Sequence, residues 1–179
     1  MTVKNRHPLP VNSEALDRLV GSKIHTKLDI RSTYNLIRIR EGDKWKTALR
    51  TRYGHFKYLV LPFGLANAPA TFQAFINKVL KEFLDVFCIA YLNNILIHSN
   101  NKEEQIEYVR LVLDRLLQNG LYAKLEKCEF HVIRIGFVEF VATPHGTGME
   151  ESQVAAVCNW PEPRTHREVQ VFLCRNPAC

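Results

Sequence analysis

"CIAYLNNILIHS" (residues 88–99) decides how this chain folds. Two apolar runs, Cys88 to Leu92 and Ile95 to Ile97, flank Asn93 and Asn94. Read locally this is a β-hairpin, because Asn accepts the left-handed backbone that two-residue turns demand. Working outward, "KIHTKLDI" (23–30) alternates like a strand that ends at Asp29. "KWKTALRTRYGHFKYLVL" (44–61) reads as two strands around a turn at Tyr53–Gly54. In "LPFGLANAP" (61–69), Asn67 can cap a helix that has Pro69 in its first turn. Phe72, Phe75, Ile76, Val79, Leu80 and Phe83 then recur at helical spacing and predict a core helix over 68–84. A second helix is predicted over 100–120, with Glu103 and Glu104 at its positive end and Asn119–Gly120 as its stop. Its expected buried face is Ile106, Val109, Leu113 and Leu116. "NSEALDRL" (12–19) reads as a short capped helix, 133–143 as a strand, 144–148 as a turn, and the tail as two short helices around Pro161 and Pro163. Hairpin-linked strands with two long helices predict an α+β layer, an antiparallel sheet covered by those helices, rather than a doubly wound parallel sheet.

The 179 residues carry 46% apolar and 23% charged side chains, as a globular domain does. No apolar run approaches the roughly 20 residues a membrane helix needs, and "MTVKNRHPLP" lacks the apolar core of a secretory signal. The expectation is an intracellular chain, cytoplasmic or nuclear, with no membrane partner. A net charge of +6 suits a polyanionic partner such as nucleic acid, and a basic surface without one fits as well. Lys44, Lys46, Arg50, Arg52 and Lys57 interleave with Trp45, Tyr53, Phe56 and Tyr58. That mixture suits a strand pair touching nucleic acid, and also an ordinary amphipathic hairpin. Five scattered cysteines, with no C-x-x-C, exclude the usual zinc spacing, and Cys88 reads as a buried free thiol. His98 and His131 read as surface or packing residues.

Three blocks in order, "LDIRSTYNLIRI" (28–39), "RTRYGHFKYLVLPFGLANAPATFQ" (50–73) and "YLNNILIHS" (91–99), followed by "GLYAKLEKCEFH" (120–131), resemble the reverse transcriptase of Ty3/Gypsy-type LTR retrotransposons. The resemblance covers residues 5–173, leaving 174–179 as a divergent tail. It implies a right-hand polymerase, mainly palm with part of the fingers. It also implies RNA-directed DNA polymerase activity on an RNA or DNA primer–template, with a second polymerase subunit as a possible partner. In that family three aspartates hold two magnesium ions, one at the end of the first palm strand and two in a Tyr-x-Asp-Asp turn. Two such cations about 4 Å apart clamp the primer hydroxyl and the nucleotide phosphates. Asp29 matches the first aspartate and the metal ligand, with Ile30 after it; Tyr91 matches the turn's tyrosine. Tyr34 matches the sugar-facing aromatic that favours deoxynucleotides, and it also suits a core position beside a strand. Phe63 and Gly64 match the nucleotide-side loop, and Gln73 matches a family position on the next helix. Arg50, Arg52 and Lys57 are the expected nucleic-acid contacts.

The departures are equally specific. Asn93 and Asn94 stand where both turn aspartates belong, so the sequence predicts that metal binding is weak or lost and activity lost or severely weakened. Magnesium wants charged oxygen ligands, and an amide supplies only a neutral one. In the primer-gripping hairpin, Phe137-Val138-Glu139-Phe140 replaces a family pattern with glycine at the third place, where Glu139 adds bulk and charge or else points to solvent. More fingers residues upstream, and a thumb after "EVQVFL", are expected from the family and are not in this sequence. Asn93, Asn94 and Glu139 are each one G-to-A change from the family residue, which points to a mutated copy of an element. The alternatives are a non-catalytic palm that binds nucleic acid or scaffolds a polymerase subunit, and a decayed fragment without function.

Overall fold

The computed structural model describes residues 3–10, 18–19, 21–137, 140–144 and 146–175. Its centre is a four-stranded antiparallel sheet in the order β4-β5-β1-β6, from β1 (Ile24–Asp29), β4 (Cys88–Tyr91), β5 (Asn94–Ser99) and β6 (Glu129–Val132). Register is tight: Ile24 faces Ser99 and Asp29 faces Asn94 across β1 and β5, while Cys88 faces Ile97 and Tyr91 faces Asn94 across β4 and β5. Both faces of this sheet are covered, which is why the 88–97 stretch is almost continuously apolar rather than alternating.

One face packs against α1 (Ala68–Val79) and α2 (Lys102–Gln118), which bring Phe72, Ile76, Val109, Val112 and Leu116 onto Leu28, Ala90, Ile95 and Ile97. The other face sets Ile89, Leu96 and Leu19 against Ile135, Phe137 and Ala142. Those last residues belong to a three-stranded meander, β7 (Ile135–Phe137), β8 (Phe140–Thr143) and β9 (Gly146–Met149). Lys27 ties the two layers: its ammonium pairs with Glu129 at 2.6 Å and donates to the Gly136 carbonyl at 3.1 Å. A separate ribbon pairs β2 (Leu49–Thr51) with β3 (Gly54–Phe56). The chain continues through α3 (Glu151–Cys158) and α4 (His166–Arg175), on either side of Pro161 and Pro163. Among the described residues no helix is long and apolar enough to cross a membrane.

Several local expectations are corrected. Lys44 to Thr47 is not strand; Glu41–Thr47 forms 3-10 turns held by Lys44–Glu41 and Lys46–Asp43 pairs, so each strand of the ribbon is only three residues long. The core helix stops at Val79, and the chain turns through Phe83. Asn67 precedes that helix without a side-chain cap bond, because its amide is engaged by the N-terminal segment: Asn5 N–H donates to Oδ1 at 2.9 Å, and Nδ2 donates to the Val3 carbonyl at 2.8 Å. The second helix is capped by Asn101, which accepts from the Glu104 N–H at 2.8 Å. Its buried face is rotated by a residue from the expected one: Gln105, Val109, Val112 and Leu116 are inside, whereas Ile106 and Leu113 are 41% and 36% exposed. Gln105 is tolerated there because its amide donates to Thr26 Oγ1 at 2.9 Å and to the Ile97 carbonyl at 3.2 Å. Cys88 is a buried free thiol, and burial pushes its ionisation up. The predicted helix over 12–19 falls largely outside the described residues.

Candidate active site

The hairpin turn sits at Leu92–Asn93, one residue earlier than the Asn pair suggests, and Asn94 is already the first residue of β5. Positive φ falls on Leu92 (50°), not on either Asn. A bulky side chain there is a strained choice, so something outside the turn must hold it. Gln73 of α1 does. It is fully buried; its Oε1 accepts from the Leu92 N–H at 2.7 Å and its Nε2 donates to the Ala90 carbonyl at 2.9 Å. A polar residue in the Phe72/Ile76/Val79 stripe was the sequence signal for this clamp.

The clamped turn meets the end of β1. Ile30 N–H donates to the Asn93 carbonyl at 2.7 Å, and Lys124 N–H donates to the Asp29 carbonyl at 2.8 Å. Asn93 Nδ2 donates to Asp29 Oδ2 at 3.1 Å. An ionised carboxylate only accepts, so Asn93 must turn its NH2 toward it. Where an acidic turn would put two like charges beside Asp29, this one puts a donor. Asn94 is the direct cross-strand partner of Asp29.

These groups open on a cleft of about 560 Å³ lined by Asp29, Ile30, Phe63 and Asn93 together with Arg31, Lys124 and Lys127. The three cations were not singled out from the sequence, since isolated basic residues carry no pattern. Lys124 is paired with Glu126 at 3.1 Å. Ser32 and Thr33, both left-handed (φ 65° and 29°), bend the chain directly after Asp29 and lead into a 3-10 turn, Thr33–Leu36. That turn carries Tyr34, whose ring meets Phe63 edge-on at 5.0 Å and Phe72 at 5.8 Å. Burial, with Tyr91 nearby as the smaller cause, pushes the Tyr34 phenol up. Phe63 is 70% exposed, and Gly64 takes φ 92°, which a side chain would resist.

The remaining expected residues lie apart from this cluster. Arg50 and Arg52 are on the β2–β3 ribbon and its turn, with Lys57 just after it; Arg52 lies over the Tyr53 ring, 4.5 Å from its centroid, and hydrogen-bonds its hydroxyl. Trp45, Tyr53 and Phe56 are exposed beside them. Phe137 and Phe140 pair across β7 and β8, on the opposite face of the sheet from the helices. Val138 and Glu139 lie outside the described residues.

Residues 2–169 match the family described as reverse transcriptase (RNA-dependent DNA polymerase). The chain belongs to the reverse transcriptase family. Among curated relatives, the Transposon Tf2-7 polyprotein of Schizosaccharomyces pombe is 39% identical over 169 residues, 94% of this chain. The Tf2-3 polyprotein of the same organism is 38% identical over the same share. The chain spans 13% of the length of those polyproteins. Their similarity bears out the retrotransposon resemblance read from the sequence blocks. The fold agrees: the foamy viral protease-reverse transcriptase in complex with RNA/DNA hybrid superposes with a TM-score of 0.82 at 23% identity, covering 97% of this chain and 23% of that one. A second foamy viral structure, in complex with double-stranded DNA, gives 0.87 at 23% identity over 97% of this chain and 30% of that one.

Reverse transcriptases generally use divalent metal ions, and the donor set here does not fit a pair of them. Asp29 and Glu126 are the carboxylates that line the cleft; one Asp29 oxygen already accepts the Asn93 amide, and Glu126 is paired with Lys124. Among the described residues no group of three or more His, Cys, Asp or Glu side chains could hold a metal. Two hard cations need more free anionic oxygen than these two engaged carboxylates give.

Proposed function

We propose that this chain is the palm and part of the fingers, over residues 5–173, of a Ty3/Gypsy-type reverse transcriptase that still engages a primer–template but has lost effective nucleotidyl transfer. The observation that carries the proposal is the Asn93-to-Asp29 hydrogen bond: an amide donor stands where the family holds an acid. Removing a single charge-stabilising group commonly costs about 10²–10³ in rate, and two ligand anions are missing here. Magnesium is the ion the family position would take, and its binding at Asp29 alone is expected to be weak.

The rest of the site supports retained binding. Ile30 and Phe63 line the cleft, where Arg31, Lys124 and Lys127 supply positive charge, and Tyr34 packs on Phe63; with Gly64 and Tyr91 these are the nucleotide-pocket residues of the proposal. The cation-and-aromatic ribbon around Arg50, Arg52 and Lys57 suits the phosphates and bases of a template, and Phe137 and Phe140 stand at the expected primer-side hairpin, where Glu139 is the departure. A role as a non-catalytic subunit of a larger polymerase follows from the same surfaces. Fluorescence anisotropy with a labelled primer–template tests the proposal. Binding whose log affinity falls linearly with log salt, without primer extension in magnesium or manganese, is the expected result. No binding at about 50 mM salt overturns it and leaves a decayed fragment.

A further inference from the structure

The Gln73 clamp does not end at Gln73. Its two outer partners fix which way its amide points: the Leu92 N–H needs an oxygen, and the Ala90 carbonyl needs an N–H. The amide therefore cannot flip without breaking two bonds to the hairpin backbone. Its second N–H goes to Asn77 Oδ1 at 2.8 Å, one helical turn further along α1. That orients Asn77 in turn, so its NH2 must face outward. There it meets His7 Nε2 at 3.3 Å, on the N-terminal segment. A nitrogen that receives an N–H has to be a bare acceptor. The hairpin backbone thus dictates Gln73, Gln73 dictates Asn77, and Asn77 dictates the protonation of a histidine far along the chain.

We propose that His7 is a positioning residue, the outer end of an oriented hydrogen-bond chain through Asn77 and Gln73 that holds the turn bearing Asn93, and that it works as the neutral Nδ1–H tautomer. With His7 in place, Asn77 keeps its oxygen on Gln73 and Gln73 keeps both hairpin bonds. Without an acceptor at position 7, Asn77 can rotate, Gln73 loses its third partner, and the strained Leu92 backbone loses its restraint. A donor at position 7 is worse than nothing, because it confronts the Asn77 NH2. The segment has a second anchor just before α1, the Asn5–Asn67–Val3 bonds, and the His7 N–H donates to Asn5 Oδ1 at 3.0 Å. These set the ring's location, so the ring's own chemistry can be varied. Among the described residues His7 makes no ion pair; Lys4 and Arg6 are its charged neighbours in sequence, and Lys78 follows Asn77 on the helix. The inference is independent of the metal reading, since the chain ends on backbone atoms whatever stands at positions 93 and 94.

Nitrogen-15 NMR of the 179-residue chain tests it in two ways. With the ring neutral, the wild-type His7 spectrum is expected to show a protonated Nδ1 and an acceptor-type Nε2; a protonated Nε2 overturns the proposal. Amide hydrogen exchange then follows Leu92, with Leu96 in the central sheet as the control for intact folding. His7→Phe and His7→Lys are expected to speed Leu92 exchange about two- to tenfold, the factor one ordinary hydrogen bond is worth, while Leu96 is unchanged. His7→Gln, which can still present an acceptor oxygen, is expected to restore the wild-type rate. Equal Leu92 exchange in the wild type, His7→Phe and His7→Lys overturns the proposal, as does a Lys variant that rescues as well as Gln.

Discussion

Replacing Asn93 and Asn94 together by Asp should make the stability of this chain depend on divalent metal. The wild-type contact is a donor-to-carboxylate bond of 3.1 Å between Asn93 and Asp29. The nearly isosteric Asn93→Asp change would place two anionic oxygens at that separation. Coulomb repulsion there is about 1.3 kcal/mol at the dielectric of water and about 5 kcal/mol at an effective ε near 20. The pair is part-buried beside an open cleft, so about 2–3 kcal/mol falls between these limits, and the lost hydrogen bond to a charged group adds about 1.5–3 kcal/mol. The Asn94→Asp change, directly across the strand from Asp29, adds further repulsion of the same sign. Together a loss of about 3.5–6 kcal/mol lowers Tm by about 7–24 °C in a chain of this size. Magnesium at about one hundred times its dissociation constant would return about 2.7 kcal/mol to the double variant. The assay is thermal unfolding of both proteins in EDTA and in magnesium. The wild type should melt alike in the two buffers, and the double-Asp variant should melt early in EDTA and recover about half or more of the loss in magnesium. A double variant as stable as the wild type in EDTA, or a wild type that gains as much from magnesium, would refute the reasoning.

Gln73→Leu should cost about 2–5 kcal/mol in urea unfolding, because it strands the buried Ala90 carbonyl and the Leu92 N–H at once. Burial, helped by nearby His25 and Arg18, holds the His98 imidazole at about 4 rather than 6.5. The unfolded chain then takes up its proton first, so this contribution is intact above pH 6.5, is lost as pH falls toward 4, and changes little below that. Up to about 3 kcal/mol is at stake, and His98→Gln should flatten the fall measured by urea unfolding across that window. Buried His25, shifted the same way by desolvation, should leave a residual slope. Arg50→Ala/Arg52→Ala/Lys57→Ala should weaken primer–template binding and reduce the magnitude of the log–log salt slope by about 2–3, if each cation neutralises one phosphate.

The architecture was legible where burial wrote it directly into the sequence. Sheet strands covered on both faces must be apolar on both, and "CIAYLNNILIHS" is. The helical Phe72/Ile76/Val79 stripe and the acidic start of the second helix at Glu103 and Glu104 were equally plain. What the sequence hid were choices made by partners distant along the chain. The turn was misplaced by one residue because Asn tolerates positive φ so well that it invites the assignment. The actual position is set by the Asp29–Asn94 register and by Gln73, which let Leu92 carry the strain. The rotation of α2 was hidden for the same reason: Gln105 looks like a surface residue until Thr26 and the Ile97 carbonyl receive its amide. Asn67 looks like a cap until residues 3–5 occupy it. At the site, Asp29, Ile30, Asn93 and Phe63 were found by their resemblance to the family and meet in one cleft. Arg31, Lys124 and Lys127 reach the same cleft from two separate loops, and single cations leave no periodicity to read.

The central claim is that one carboxylate and two amides cannot run a polymerase palm. Single-nucleotide primer extension tests it most directly, with the wild type beside the Asn93→Asp/Asn94→Asp variant on one annealed primer–template in magnesium. The account predicts no extension by the wild type and a gain of at least about 10²-fold on restoring the two acids. Wild-type extension at the rate of the double-Asp variant would contradict it.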